Sequence, residues 1–155
     1  MKNKGRFDLL LERIREIVNS SLERDEKLRS ICKLLRENFS HFNWVGFYLV
    51  NEAKGDELIL GPFEGESTEH VRIPFGRGIC GQAAQTKKTF LVQDVSKETN
   101  YLACSPKVKS EIVVPILKGG ELVGELDIDS YRLFAFTEED REFLEKVCEI
   151  LSNLF

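Results

Sequence analysis

SEIVVPILKGGELVGELDIDS, residues 110–130, reads as two β-strands folded back on a glycine pair. Apolar residues recur with the two-residue period of a strand on both sides of Gly119-Gly120. A connection that short joins antiparallel neighbours, because parallel strands need a crossover of a dozen residues or more. In the second strand Leu126 and Ile128 share one face, and Asp127 and Asp129 share the other. A solvated sheet face is the plain reading of such acids. Whether Glu111 joins them depends on the loop. A two-residue turn sets Glu111 opposite Ile128, on the wrong face. A three-residue loop, Lys118-Gly119-Gly120 with Gly120 in a left-handed bulge, sets Glu111 opposite Asp127, and this is the register expected here. Three carboxylates brought that close repel one another, so at least one is expected to hold a proton near neutrality.

Working outward, WVGFYLV (44–50), ELILGPF (57–63), HVRIPF (70–75) and TFLVQD (89–94) also carry strand patterning. Trp44, Gly46 and Tyr48 fall on one face of the first of these, two aromatic walls with a gap that a small ligand would fit. Residues 7–19 and 25–39 show helical spacing, through Leu10, Ile14, Ile17 and Val18 and then Leu28, Ile31, Cys32, Leu35 and Phe39. GICGQAAQ is a short helix rich in small residues, and a long irregular segment follows Val95. Thr137 ahead of Glu138, Glu139 and Asp140 marks the start of a last helix, whose buried stripe runs from Phe143 to Leu154. The order predicts an α+β fold over residues 1–155 as one domain: a mostly antiparallel sheet with the N- and C-terminal helices on one face and a ligand pocket on the other.

Composition narrows the function. Hydrophobic residues make up 42% of 155, enough for a core, and the net charge of -4 comes from intermixed charges rather than blocks. Neither a nucleic-acid nor a membrane-surface footprint is present, and no stretch approaches a signal peptide or the ~20 apolar residues of a span. A cytoplasmic protein with a small-molecule partner is expected; the oligomeric state is left open, a homodimer included. Gly76-Arg-Gly-Ile-Cys-Gly81 spells GxGxxG, but the parallel crossover that a dinucleotide site requires is missing.

The four cysteines show no CxxC and no zinc-site spacing. Cys32 and Cys148 fall on apolar helix stripes and read as core. Cys80 sits in a glycine turn entering a short helix, where packing and thiolate stabilisation are equally good readings. Cys104 lies in NYLACSPKVK, polar and basic, with Ser105-Pro106 able to cap a helical turn. Its alternatives are an idle loop cysteine and a reactive thiol.

As a set and in this order, NWVGFYLV, LGPFEG, VRIPFGRGICG, the Cys104 segment with SEIVVP, and GELDIDS followed by FTEED resemble the free methionine-R-sulfoxide reductases, stand-alone GAF-domain enzymes. The resemblance implies that Cys104 attacks the sulfoxide sulfur and that Cys80 forms a disulfide with it. It further implies that Trp44, Tyr48, Glu111, Asp127 and Asp129 line the pocket. In the mechanism expected from these residues a protonated carboxyl, Glu111, hands a proton to the leaving oxygen, and a thioredoxin-type reductant reopens the disulfide. No metal or organic cofactor is implied. One departure is clear: the family's usual third cysteine, just before VRIP, is His70 here. That leaves Cys80 or an external thiol to resolve Cys104. The alternative reading is a non-catalytic GAF sensor; such sensors usually carry an output domain, and here the last predicted helix runs almost to Phe155.

Overall fold

The computed structural model describes residues 3–102 and 105–155. Helices α1 (Lys4–Val18) and α2 (Arg24–Asn38) lead into strands β1 (Trp44–Val50), β2 (Glu57–Glu64) and β3 (Arg72–Pro74). Helix α3 (Gly78–Thr86) and strand β4 (Phe90–Val92) follow, then β5 (Ser110–Lys118), β6 (Glu121–Ser130) and helix α4 (Glu138–Leu151). Among the described residues the six strands form one antiparallel sheet in the order β3-β2-β1-β6-β5-β4. Two predicted strands are shorter than their patterning suggested. Only Arg72–Pro74 of HVRIPF and Phe90–Val92 of TFLVQD pair, because both lie at sheet edges with a partner on one side only.

The period-two pattern sorts the side chains. Val45, Phe47, Ile112, Val114, Leu126 and Ile128 point to one side, where Leu10 and Ile14 of α1, Ile31 and Leu35 of α2 and Phe143 and Val147 of α4 close the main core. Helix α4 begins as expected: Thr137 accepts from the Asp140 N–H (3.0 Å) while the Asp140 carboxylate accepts from the Thr137 N–H (3.1 Å), a reciprocal capping box. Cys32 and Cys148 are core fillers, and burial pushes both thiols far above the ordinary cysteine range.

Two irregularities shape the opposite face. Between β5 and β6 the turn has two residues, Gly119 and Gly120, both at positive φ (58° and 82°), with Lys118 opposite Glu121. The register then slips at Val123: Leu117 pairs with Leu122 but Ile116 with Gly124. This corrects the expected three-residue loop. The extra residue is taken up inside β6 rather than at the turn, and Glu111 comes to lie opposite Asp129 instead of Asp127. It still reaches the acidic face. On the other flank, β2 carries an extra residue at Gly61-Pro62, between the pairs Gly46–Phe63 and Tyr48–Leu60.

The gap expected between Trp44 and Tyr48 is closed. The Trp44 indole lies over Gly46, stacks on Phe63 at 5.4 Å and donates from Nε1 to the Glu66 carbonyl at 2.9 Å. A Cβ at Gly46 would stand 2.4 Å from the indole and 2.8 Å from Phe63 Cβ. Gly46→Ala is therefore expected to cost about 1–3 kcal/mol by overpacking. Thermal unfolding should show a midpoint several degrees below wild type, and an unchanged midpoint would mean that the indole moves aside freely.

Candidate active site

The second face of the sheet is covered by α3 and by the connection that follows β4. Helix α3 packs closely because a Cβ at Gly81 would meet the Pro74 carbonyl oxygen at 2.6 Å. Its first residue, Gly78, has φ 68°, and a Cβ there would touch Leu102 at 2.9 Å. Asn100 ties the two segments together. Its side chain accepts from the Gly78 N–H (2.7 Å) and donates to the Gly76 carbonyl (2.8 Å), while its own carbonyl accepts from Gln82 Nε2 (3.1 Å). The glycine-rich turn thus receives a loop, where a dinucleotide fingerprint would receive phosphate.

Beyond the loop, Ser105 to Val108 form one hydrogen-bonded turn, with the Ser105 hydroxyl accepting from the Lys107 N–H at 3.2 Å. The expected cap is present, but no helix follows it. Lys107 reaches across to Glu66 (2.8 Å), holding that carboxyl below its usual range through their hydrogen bond and opposite charges, and its ammonium lies 5.9 Å from the Tyr131 ring. Cys104 lies outside the described residues; the segments described on either side of it are anchored to α3 and to the β2–β3 loop.

Under this cover is a cavity of ≈ 10 Å³, about the room for one water molecule. Its walls include Tyr48, His70, Cys80, Leu102, Glu111 and Asp127. Cys80 Sγ and one carboxylate oxygen each of Glu111 and Asp127 lie within 4.8 Å of one another. The Tyr48 hydroxyl donates to the His70 carbonyl at 2.8 Å, fixing the ring at the rim. Of the residues expected here, Tyr48, Cys80, Glu111 and Asp127 meet at the cavity. Trp44 and Asp129 stand behind it, Trp44 with its ring 6.4 Å from that of Tyr48 and Asp129 paired across the sheet with Glu111.

The GAF domain family model matches residues 23–154. A GAF domain-containing protein A of Dictyostelium discoideum is 40% identical over 95% of this chain and 90% of its own length. The free methionine-R-sulfoxide reductase of Escherichia coli is 39% identical over 82% and 74%. The crystal structure of free methionine-R-sulfoxide reductase from Neisseria meningitidis in complex with its substrate superposes with a TM-score of 0.89 at 40% identity, covering 96% of this chain and 87% of the other. The chain belongs to the GAF-domain free methionine-R-sulfoxide reductase family.

A fourth acid, Glu125, escaped the sequence reading. It stands two residues before Asp127 in β6, opposite Tyr48 and Pro115, so the same alternation that singled out Asp127 and Asp129 would have found it. Exposure is 0% for Glu125, 5% for Glu111, 1% for Asp127 and 2% for Asp129, which rules out a solvated face. Asn100, whose role depends on contacts remote in sequence, left no such signal.

Burial dominates the electrostatics. It raises the pKa values of Glu125, Asp127 and Asp129 above the ordinary carboxyl range, and the Asp127 charge pushes the other two further. The Cys80 thiol is raised as well, first by burial and then by the four surrounding acids, so the start of α3 does not make it a ready thiolate. Cys80 approaches Glu125 and Asp127 closely enough to lower their pKa values somewhat, yet both Glu125 oxygens and Asp127 Oδ1 lack a well-formed hydrogen bond among the described residues.

This has a consequence for stability. Glu125 keeps its proton in the folded state at pH values where the unfolded chain, with an ordinary pKa of 4.5, has lost it. Its contribution is fully present below that value and is lost as pH rises toward the raised folded pKa. Glu125→Gln removes the titration, so the unfolding midpoint of the variant relative to wild type should become more favourable from about pH 5 to about pH 8 by calorimetry. A pH-independent difference would show that Glu125 ionises normally.

Proposed function

We propose that the protein reduces free methionine-R-sulfoxide to methionine, with Cys104 as the attacking thiol, Glu111 as proton donor and Cys80 as the resolving thiol. The observation that carries this reading is the meeting of Cys80, Glu111 and Asp127 within 4.8 Å at a cavity that Leu102, two residues before Cys104, helps to wall. Similarity to relatives that bear this activity in their names supports it.

In the first step the Cys104 sulfur, as thiolate, attacks the sulfoxide sulfur while Glu111 protonates the sulfoxide oxygen. The oxygen ends on Cys104 as a sulfenic acid, and methionine leaves with the electron pair that the thiolate supplied. Cys80 then attacks the sulfenic sulfur. A disulfide forms as the sulfenic S–O bond breaks, and the hydroxyl departs as water with the proton that the neighbouring carboxylates relay from Cys80. A thioredoxin-type dithiol restores both thiols by exchange.

Asp127, with Asp129 behind it, would hold the substrate ammonium, which selects the free amino acid because a peptide-bonded methionine lacks that charge. Tyr48 and Leu102 would pack on the thioether, with Trp44 bracing Tyr48. The ≈ 10 Å³ cavity is too small for an amino acid, so binding requires a wall to withdraw. The loop around Leu102, joined to α3 through Asn100, is the wall built on irregular chain.

With free methionine-R-sulfoxide and dithiothreitol, turnover should exceed that of the S epimer or a peptide-bound sulfoxide. Cys104→Ser should abolish single-turnover reduction, whereas Cys80→Ser should complete one turnover and fail chiefly in recycling by thioredoxin. Methionine release by Cys104→Ser at the wild-type rate would remove the assignment, and binding without turnover by wild type would favour a sensor.

The acids should separate in steady-state kinetics. Glu111→Gln is expected to lower kcat by about 100-fold or more, the scale of a lost general acid, with little change in KM. Asp127→Asn is expected to act mainly on KM, because an ammonium contact is present in the ground state too. Wild-type kinetics in both variants would exclude the carboxylates from the reaction.

A further inference from the structure

The buried acids pose a problem that substrate binding does not address while the pocket is closed. Among the described residues no basic side chain forms an ion pair with Glu125, Asp127 or Asp129. Asp127 is 1% exposed, lines the cavity, and its Oδ1 has no hydrogen-bond partner there. Beside it stand the Cys80 sulfur and a Glu111 oxygen, the three donor atoms within 4.8 Å of one another.

We propose that Cys80, Glu111 and Asp127 form a binding site for a divalent cation of the zinc class, which occupies the pocket as an inhibitor and not as a cofactor. The donor set selects the ion. One thiolate with carboxylates favours a borderline-soft cation such as Zn²⁺ over Mg²⁺ or Ca²⁺, which take oxygen ligands alone. Zinc lies about 2.3 Å from a thiolate sulfur and about 2.0–2.2 Å from carboxylate oxygens, which in a tetrahedral site sets the donors about 3.5 Å apart, so donor atoms already within 4.8 Å of one another close around an ion by side-chain movements of about an ångström. Binding displaces the thiol proton.

The ion would sit where the substrate's ammonium group is proposed to sit, so competition with methionine sulfoxide rests on the reductase reading; the binding itself does not. The test uses the reduced full-length protein and the metals alone. Titration with Co²⁺ should give a near-ultraviolet sulfur-to-cobalt charge-transfer band saturating at one equivalent, and Zn²⁺ should displace it. Cys80→Ser should lose the band, Asp127→Asn should weaken binding at least tenfold, and Cys32→Ser and Cys148→Ser should retain it.

Circular dichroism without metal checks each fold. Should Cys80→Ser fail to fold, the near-isosteric Asp127→Asn decides the matter. A band that survives in folded Cys80→Ser, unchanged affinity in Asp127→Asn, or no saturable binding in wild type overturns the site. An inactive protein that binds cobalt through Cys80 keeps the metal site and loses the reductase reading. An active one that binds no metal does the reverse.

Discussion

The structure depends on keeping Glu111, Glu125, Asp127 and Asp129 together on the inner side of a sheet, out of water, without a basic partner for three of them among the described residues. Each ionised carboxylate moved into such surroundings costs several kcal/mol unless it is paired, so the folded chain holds protons there instead. What offsets that cost is on the opposite side of the same strands. Leu126 and Ile128 alternate with the acids and lie at the centre of the helix-covered core, so the residues that make β6 a good strand for the core also force its acids inward. The acidic pocket and the hydrophobic core are two faces of one strand pairing.

Glycine makes the cover over that pocket possible. At Gly81 there is no space for a side chain against the Pro74 carbonyl, and at Gly78 a positive φ lets α3 start where its amide meets Asn100. The loop is held to α3 by the hydrogen bonds of Asn100 and by Tyr101 and Leu102, which pack against the smaller apolar cluster beneath it. Leu102 of this loop forms part of the cavity wall. Lys107 and Glu66 form an exposed ion pair on the other side; such pairs contribute little to stability and leave that flank easily released.

The alternation in residues 110–130 and 44–50 by itself determined the antiparallel sheet, the helix-covered face and the gathering of Asp127 and Asp129 on the other, because burial on two sides leaves no freedom in which residues point where. Thr137 and Asp140 determined the start of α4 through a contact three residues long. The Glu111 partner was not legible. A bulge at Val123 and a bulge at the turn both bring Glu111 to the acidic face, and only the pairing of the whole ladder places the extra residue inside β6 and sets Glu111 opposite Asp129. Nor could strand periodicity reveal that the Trp44 indole would swing over Gly46 onto Phe63, since that space is set by the neighbouring strand. Local pattern determines the face a residue occupies; what it touches there is decided by elements distant in sequence, as with Cys80 and Asp127 meeting from a helix and a strand 47 residues apart (127 - 80 = 47).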